Sequence, residues 1–568
     1  MVGGSQRSSG VSGKAERQGN PVCVGLPSVI DFPTGGHPLN WRTVSRARRI
    51  LEKEEGTICK DWGGRLPIAL AYPNTYYIGM SNLGLHVIYG LLNDQPDIVC
   101  ERVFYHNDER PPISLESQRS LGEFAILAFS LSFEMDYFNL LAMLRRARIP
   151  LSFEARDESY PLLIAGGPCV MANPEPLAPI FDAFVIGEGE VVVPALSETL
   201  AQGVSLSRED LLKRLATIPG IYVPRFYRIE RENGHILRIS PSAGLPFPVQ
   251  RQWLSDLDAY PTSSVIMTEE TQFGDMYLME VSRGCSRGCH FCLAGSAYLP
   301  ARERSPETLL AKAKEGLEYR RRLGLIGASL SDYSHIEELV TQLRGLGAEI
   351  SVASLRVDPL PEPLLQALAE SGAQTLTIAP EAASERLRTK INKGISEEDI
   401  MRAVELAARY DFPHLKLYFM IGLPSETDDD AGEIPHLVQS VRKRFRRRLI
   451  VNITPFVPKA QTPFQLVPMA PRDVLEARLR YVKRKLRSMG VEIRADSARW
   501  AEVQGVLARG DRRVGEALMT VEKTSLSAWR EALATRGLTA EHYLGRRSKG
   551  EILPWSTVSA GMGVRRPT

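Results

Sequence analysis

Short apolar runs alternate with amphipathic stretches twice along these 568 residues, and this rhythm restricts the chain to α/β folds. In the first series LPIALAYP, IVCERVFY, FAILAFSLSF, PLLIAGGP and DAFVIGEGE read as buried strands. LGLHVIYGLL, YFNLLAMLRRARI and VVVPALSETL read as the helices between them. Apolar strands separated by helices predict a doubly wound parallel sheet, and several end in Gly, Ser or Pro, where such a sheet opens its ligand crevice. The second series runs from Tyr277 to about Pro468, with strands at YLMEVSRG, IGASLSD, EISVASLRV, TLTIAPE, LKLYFMIGLP and LIVNITPFVP. Six strands with helices between them predict a partial (β/α)6 barrel, by extension of the rules for complete barrels.

A chain this long exceeds what one hydrophobic core supports, so several domains are expected. The reading divides it into a flexible Gly/Ser/Pro-rich tail (1–38), an N-terminal helix (39–65) and the doubly wound sheet (66–205). A connector with a β-hairpin at Asn233-Gly234 (206–268), the partial barrel (269–470) and a mostly helical C-terminal region (471–568) follow. The net charge of +3 is small for this length and argues neither for nor against nucleic acid. The first twenty residues lack the apolar core of a signal peptide, and no apolar run is long enough for a membrane span, so a cytoplasmic protein is expected.

Seven cysteines, four scattered and three packed between positions 285 and 292, do not form a disulfide framework. Cys23, Cys59, Cys100 and Cys169 have no ligand spacing and read as ordinary thiols. Cys285, Cys289 and Cys292 lie in MEVSRGCSRGCHFCLAG, directly after a predicted strand. A structural iron–sulfur cluster takes four cysteines and a structural zinc site four ligands; His290 could supply the fourth, but it sits inside the ligand loop. Three thiolates without a fourth partner suit a 4Fe-4S cluster with one open iron. Gly284 and Gly288 let the chain bend tightly around it.

The C-x3-C-x2-C spacing with Phe291 before the last cysteine resembles the signature of the radical S-adenosylmethionine (SAM) superfamily. The resemblance implies an enzyme whose 4Fe-4S cluster, held by Cys285, Cys289 and Cys292, reductively cleaves SAM to a 5′-deoxyadenosyl radical. An external electron donor such as a ferredoxin or flavodoxin is implied as a partner. It also assigns SAM contacts at successive strand ends: Asp332 to the amino group, Arg356 to the carboxylate, Glu381 to the ribose and the backbone at Gly422 to the adenine. The family's Gly-Gly-Glu form of the second-strand motif is absent here.

The segment LESQRSLGEFAILAFSLSFEMDYFN and the segment IAGGPCVMANPEPLAPIFDAFVIGEGE resemble radical SAM proteins that carry a cobalamin-binding domain, including a subfamily in which LPW recurs near the C-terminus. Cobalamin is therefore the candidate third cofactor, approached through the turns at Gly166-Gly167 and Gly187-Glu188-Gly189, and cobalamin-assisted methyl transfer is the candidate reaction. No D-x-H-x-x-G motif supplies a lower cobalt ligand, and His86 reads as a packed histidine. Two rivals stay open: a methylthiotransferase-like RNA-modifying enzyme, which would carry three further cysteines near its N-terminus, and a non-catalytic iron–sulfur electron carrier or sensor. The basic run Arg442–Arg448 reads as a solvated helix end, and Trp529 and Trp555 either cap the substrate or simply pack.

Overall fold

The computed structural model describes residues 41–561, so the expected tail at 1–38 and the last seven residues lie outside it. The N-terminal helix spans Trp41–Leu51. The first sheet contains β1 (Leu66–Tyr72), β2 (Ile98–Phe104), β3 (Ile126–Ser130), β4 (Leu162–Gly166), β5 (Ala183–Val185) and β6 (Ile221–Tyr222), in the order β2-β1-β3-β4-β5-β6. Strands β1 to β5 are parallel, and β6, which falls in the expected connector, closes the edge antiparallel to β5. The chain lays β2 on one side of β1 and β3 on the other, and this reversal of strand order makes a topological switch point between β1 and β3.

Alternation along these strands feeds two cores. Ala69, Ala71, Leu127, Phe129, Leu163 and Ala165 point to one face, while Ile68, Leu70, Ile126 and Ile164 point to the other. The first face is covered partly by the C-terminal helices Arg512–Leu518 and Leu526–Thr535, through Val514, Leu518, Trp529 and Leu533. Trp529 meets Phe138 edge-on with ring centroids 5.8 Å apart. The end of the chain thus completes the core of its beginning. The hairpin β7 (Tyr227–Glu232) and β8 (His235–Pro241) turns at Asn233 (φ 49°) and Gly234 (φ 84°), the two left-handed residues of a tight hairpin.

After β9 (Val249–Gln250) the second series begins with β10 (Met276–Glu280) and the short antiparallel ribbon β11 (Ser282–Arg283) and β12 (Arg302–Glu303). Strand β10 pairs in parallel with β13 (Arg322–Ile326), and β13 with β14 (Glu349–Val352). Strands β15 (Thr375–Glu381), β16 (His414–Ile421), β17 (Arg448–Pro455) and β18 (Glu492–Ala495) form the other parallel half, and a parallel bridge from Leu355 to Ile378 joins the two into an open arc. Leu415, Leu417, Phe419 and Ile421 of β16 face the surrounding helices, where Ile434, Leu437 and Val441 lie in the same core.

Two features depart from the sequence reading. The second barrel strand is RLGLI rather than IGASLSD; Arg322 begins it, paired with Asp275 and with Glu349 at 2.8 Å, and GASLSD lies beyond its end. A seventh strand, β18, extends the arc inside the region expected to be helical. Its sequence EIRA is short and charged because it is an edge. Finally β19 (Val558–Ser559) pairs with β9, tying the C-terminus to the connector.

Candidate active site at the cysteine loop

The three cysteines lie on the loop that leaves β11 and enters the short helix Ala294–Ala297. Gly284 (φ 82°) opens the loop, and a Cβ there would stand 2.3 Å from the Tyr298 carbonyl oxygen, so no larger residue fits this neck. A second loop clamps the first. The Asn392 side-chain amide donates to the carbonyls of Gly288 (2.9 Å) and Arg287 (3.2 Å), and the His290 amide donates to the Ile391 carbonyl (2.9 Å). His290 turns into this clamp: its Nδ1 lies 3.1 Å from the Lys390 carbonyl and its ring meets Phe464 edge-on at 5.3 Å. It is a brace for the loop.

Cys285, Cys289 and Cys292 are half-buried and free. Burial pushes the Cys289 and Cys292 thiols up, and negative charge pushes further, from Cys285 and Glu381 at Cys289 and from Cys289 and Cys285 at Cys292. Lys393 and Arg356 act against this at Cys289, and the Gly295 amide, 3.4 Å from the sulfur, does so at Cys292. Among the described residues no three His, Cys, Asp or Glu side chains converge closely enough to grip a single ion. A 4Fe-4S cluster does not require that convergence, because it offers each thiolate a separate iron. Three free thiols on a glycine-hinged loop, with cations beside them to offset the anionic ligands, fit such a cluster and do not fit a zinc site.

Around the thiols the candidate SAM contacts are in different states. Arg356 donates only to backbone carbonyls, those of Asp358 (3.0 Å), Lys393 and Gly394 (3.3 Å), and has no carboxylate partner among the described residues. Asp332 is engaged: Arg287 grips it through two hydrogen bonds (2.8 and 2.5 Å) and the Ser329 hydroxyl adds a third (2.6 Å). Burial alone would raise the Asp332 pKa, but these bonds hold it below the usual carboxylate range. Glu381 stands at φ 68°, left-handed for a residue with a side chain, beside a register shift in the β15–β16 ladder. Its carboxyl, pushed up by burial, pairs with Lys393 at 3.2 Å.

Phe291 packs beside Leu387, Ile391, Leu423, Phe456 and Phe464, with Lys393 Nζ 6.0 Å from its ring centroid, so it anchors the loop in a small apolar cluster. Gly422 (φ 77°) lies just past β16; a Cβ there would meet Leu475 at 2.4 Å, and its amide already donates to Glu426. Sequence reasoning missed Arg287, Asn392 and Lys393. A charged residue inside the cysteine loop was the available signal for Arg287, whereas Asn392 and Lys393 reach the loop only through the fold.

The N-terminal glycine turns are filled by the chain itself. A Cβ at Gly167 would stand 2.6 Å from the Leu131 carbonyl, one at Gly187 2.4 Å from the Gln252 carbonyl, and one at Gly189 2.2 Å from Ile88. His86 is packed as expected: Nε2 donates to the Met80 carbonyl (3.0 Å), Nδ1 faces the Val265 and Ile266 amides, and burial lowers its pKa to about 4. Cys100 and Cys169 are buried free thiols on opposite faces of the sheet, whereas Cys59 is disulfide-bonded and so is not the ordinary thiol expected. Cys23 lies outside the described residues. Trp529 and Trp555 both pack, the latter donating to Gln465 at 2.7 Å in a cluster that includes Leu293 of the cysteine loop. In the basic run, Arg444, Arg447 and Arg448 pair with Glu405, Asp411 and Glu492 at the surface. No helix among the described residues is long and apolar enough to cross a membrane.

The family model for the radical SAM superfamily matches residues 279–438, and that for the N-terminal part of radical SAM proteins matches residues 84–224. The uncharacterized protein MJ0966 of Methanocaldococcus jannaschii is 32% identical over 453 residues, covering 79% of this chain and 90% of that protein. The uncharacterized methyltransferase PH0819 of Pyrococcus horikoshii is 27% identical over 282 residues, covering 47% of this chain and 55% of its own length. Among solved structures, the radical SAM methyltransferase TsrM of Kitasatospora setae, with cobalamin and a [4Fe-4S] cluster bound, superposes with a TM-score of 0.47 at 14% identity. That match covers 71% of this chain and 77% of TsrM.

Proposed function

Because this chain belongs to the radical SAM superfamily and is an enzyme, we propose that Cys285, Cys289 and Cys292 hold the 4Fe-4S cluster at which it reductively cleaves SAM. The observation that carries the reading is three free thiols on one clamped loop beside an arginine that has no carboxylate partner among the described residues. When bound, the cluster would supply one electron to the sulfonium of SAM, so that the S–C5′ bond breaks to give methionine and a 5′-deoxyadenosyl radical. The protein's part is positioning. Arg356 is suited to the SAM carboxylate by a charge-assisted fork. Asp332, held by Arg287, is assigned to the amino group, Glu381 to the ribose and the chain at Gly422 to the adenine. Phe291 and Asn392 keep the loop in place. An external one-electron donor of the ferredoxin or flavodoxin kind completes the system.

The finer reading is methyl transfer to an unactivated carbon, assisted by cobalamin. It is supported by a doubly wound sheet ahead of the barrel and by similarity to a protein named a methyltransferase. The glycine turns do not cradle a corrin, because the backbone occupies them; the β1–β3 switch point, lined by Tyr72, Asn82 and Ser132, is the remaining place for one. The methylthiotransferase reading needs a second set of three thiols. Cys100 and Cys169 sit in separate cores, which disfavours it.

The test uses anaerobically reconstituted full-length protein with reductant and SAM. Release of 5′-deoxyadenosine is expected, with none from the variant carrying Cys→Ala at positions 285, 289 and 292; equal release from that variant refutes the assignment. S-adenosylhomocysteine alongside deoxyadenosine, and only when cobalamin is supplied, supports methyl transfer. Deoxyadenosine alone points to another radical reaction. A cluster spectrum indifferent to SAM favours a carrier or sensor.

A further inference from the structure

The turn after β5 carries Glu188, whose carboxylate is almost fully buried among three arginines. It accepts from Arg302 at 2.7 and 3.0 Å, from Arg283 at 2.8 Å, from Arg251 at 3.3 Å and from the Leu254 amide at 3.1 Å. Arg283 continues the network to Glu190 (2.6 Å) and Glu280 (2.8 Å), and Arg304 closes on Glu280 (2.6 Å). Glu188 and Glu190 come from the N-terminal domain, at the turn after β5 and in the first turn of the helix Gly189–Gln202. Arg283 and Arg302 face each other on the ribbon β11–β12.

That ribbon is the base of the cysteine loop. The chain enters through Arg283-Gly284-Cys285 and returns past Tyr298, whose carbonyl seals the neck at Gly284. Arg251 adds bonds to the Leu299 carbonyl on the returning limb and to the Ala560 carbonyl near the C-terminus, the latter at 2.8 Å. Burying these ions is a poor way to gain stability, because desolvation offsets most of the attraction. What such a network does supply is a single geometry, since any other placement of the ribbon leaves buried charges unmatched.

We propose that Glu188 is a positioning residue for the cysteine loop: the N-terminal domain, through this carboxylate with Glu190 beside it, sets where Arg283 and Cys285 stand and so how the cluster is held. The proposal rests on the cluster assignment above. It gives the N-terminal domain a role in the reaction centre that requires no ligand of its own.

Full-length wild type, E188Q, E188D and R302Q, purified and reconstituted anaerobically, provide the test. E188Q is expected to retain the wild-type circular dichroism spectrum, to lose iron to a chelator roughly 10- to 100-fold faster, the effect typical of removing an outer-shell partner, and to alter the electron paramagnetic resonance spectrum of the reduced cluster. E188D, which keeps the charge, is expected to recover part of both. In the metal-free proteins, hydrogen exchange at residues 284–300 is expected to accelerate in E188Q while the strands of the first sheet are unchanged. Wild-type iron retention, spectrum and exchange in E188Q overturn the proposal. If E188Q does not fold, R302Q removes the partner on the loop side, and wild-type behaviour there overturns it equally. A wild type that takes up no cluster refutes the cluster assignment instead, and the metal-free exchange experiment still decides the role of Glu188.

Discussion

The two parallel sheets of this chain end in loops of opposite character. At the carboxyl edge of the first sheet, Gly167 and Gly187 abut backbone carbonyls and Glu188 is enclosed by arginines, so that part of the edge is packed shut. At the corresponding edge of the barrel, three thiols stay half-exposed and free, and Arg356 has only backbone carbonyls for partners among the described residues. Both edges are rich in glycine, charge and strained backbone. The difference lies in what the polar groups face: at the first sheet the Glu188 carboxylate is matched by three arginines, whereas at the barrel Arg356 meets no carboxylate among the described residues. Glycine at a strand end is thus evidence of close approach, and only the fold tells whether a ligand or the chain itself approaches.

The largest expected effect separates the thiols of the two regions. Replacing any one of Cys285, Cys289 or Cys292 by Ala is expected to abolish stable iron binding, while Cys100→Ala and Cys169→Ala leave iron per chain at the wild-type value. Iron and sulfide analysis checks this, and iron loss from Cys169→Ala would break the contrast. Next is a pH effect confined to the first sheet. His86 has its folded pKa lowered from 6.5 to about 4, so the folded state binds fewer protons than the unfolded chain between those values. Stability is therefore full above pH 6.5 and falls as pH drops toward 4, by on the order of 3 kcal/mol from this group. His86→Gln is expected to flatten that part of the curve in denaturant titrations, leaving SAM cleavage at neutral pH unchanged.

On the barrel side, Arg356→Met is expected to raise the dissociation constant for SAM about tenfold or more, the weight of a charge-assisted hydrogen bond of roughly 1.5–3 kcal/mol. Isothermal titration with the reconstituted protein measures it, and unchanged affinity would place the SAM carboxylate elsewhere. The smallest effect belongs to the basic run. Neutralising Arg444 and Arg447 removes exposed ion pairs with Glu405 and Asp411, and the melting temperature is expected to stay unchanged within error.

Much of this was legible in local pattern. The strands β1 to β5 and most of the barrel strands stood out because strands buried on both faces read as unbroken apolar runs. The hairpin stood out because Asn-Gly fits its two left-handed positions. Strand β13 was displaced because its apolar run LGLI is short and opens on Arg322, and β18 was overlooked because the charged EIRA is accommodated at a sheet edge. At the site, the cysteines were singled out by their spacing and Arg356 by the family resemblance at a strand end. The clamp from Asn392 and the pair Lys393–Glu381 were not, because those residues lie about a hundred positions from the thiols they support, or act through backbone that only the turn after the helix Glu385–Lys390 brings near.

By itself the sequence determined the α/β class, the position of the cysteine loop after a strand, and its three thiols, because these depend on residues adjacent in the chain and on the stereochemistry of strands and glycine. Only the tertiary structure decided that the C-terminal helices complete the core of the first sheet and that the glycine turns are filled by the chain's own backbone. Only it showed that Glu188 joins that sheet to the base of the loop. Each of these depends on which distant surfaces exclude water from one another, and a buried charge reveals its partner only when both are in place.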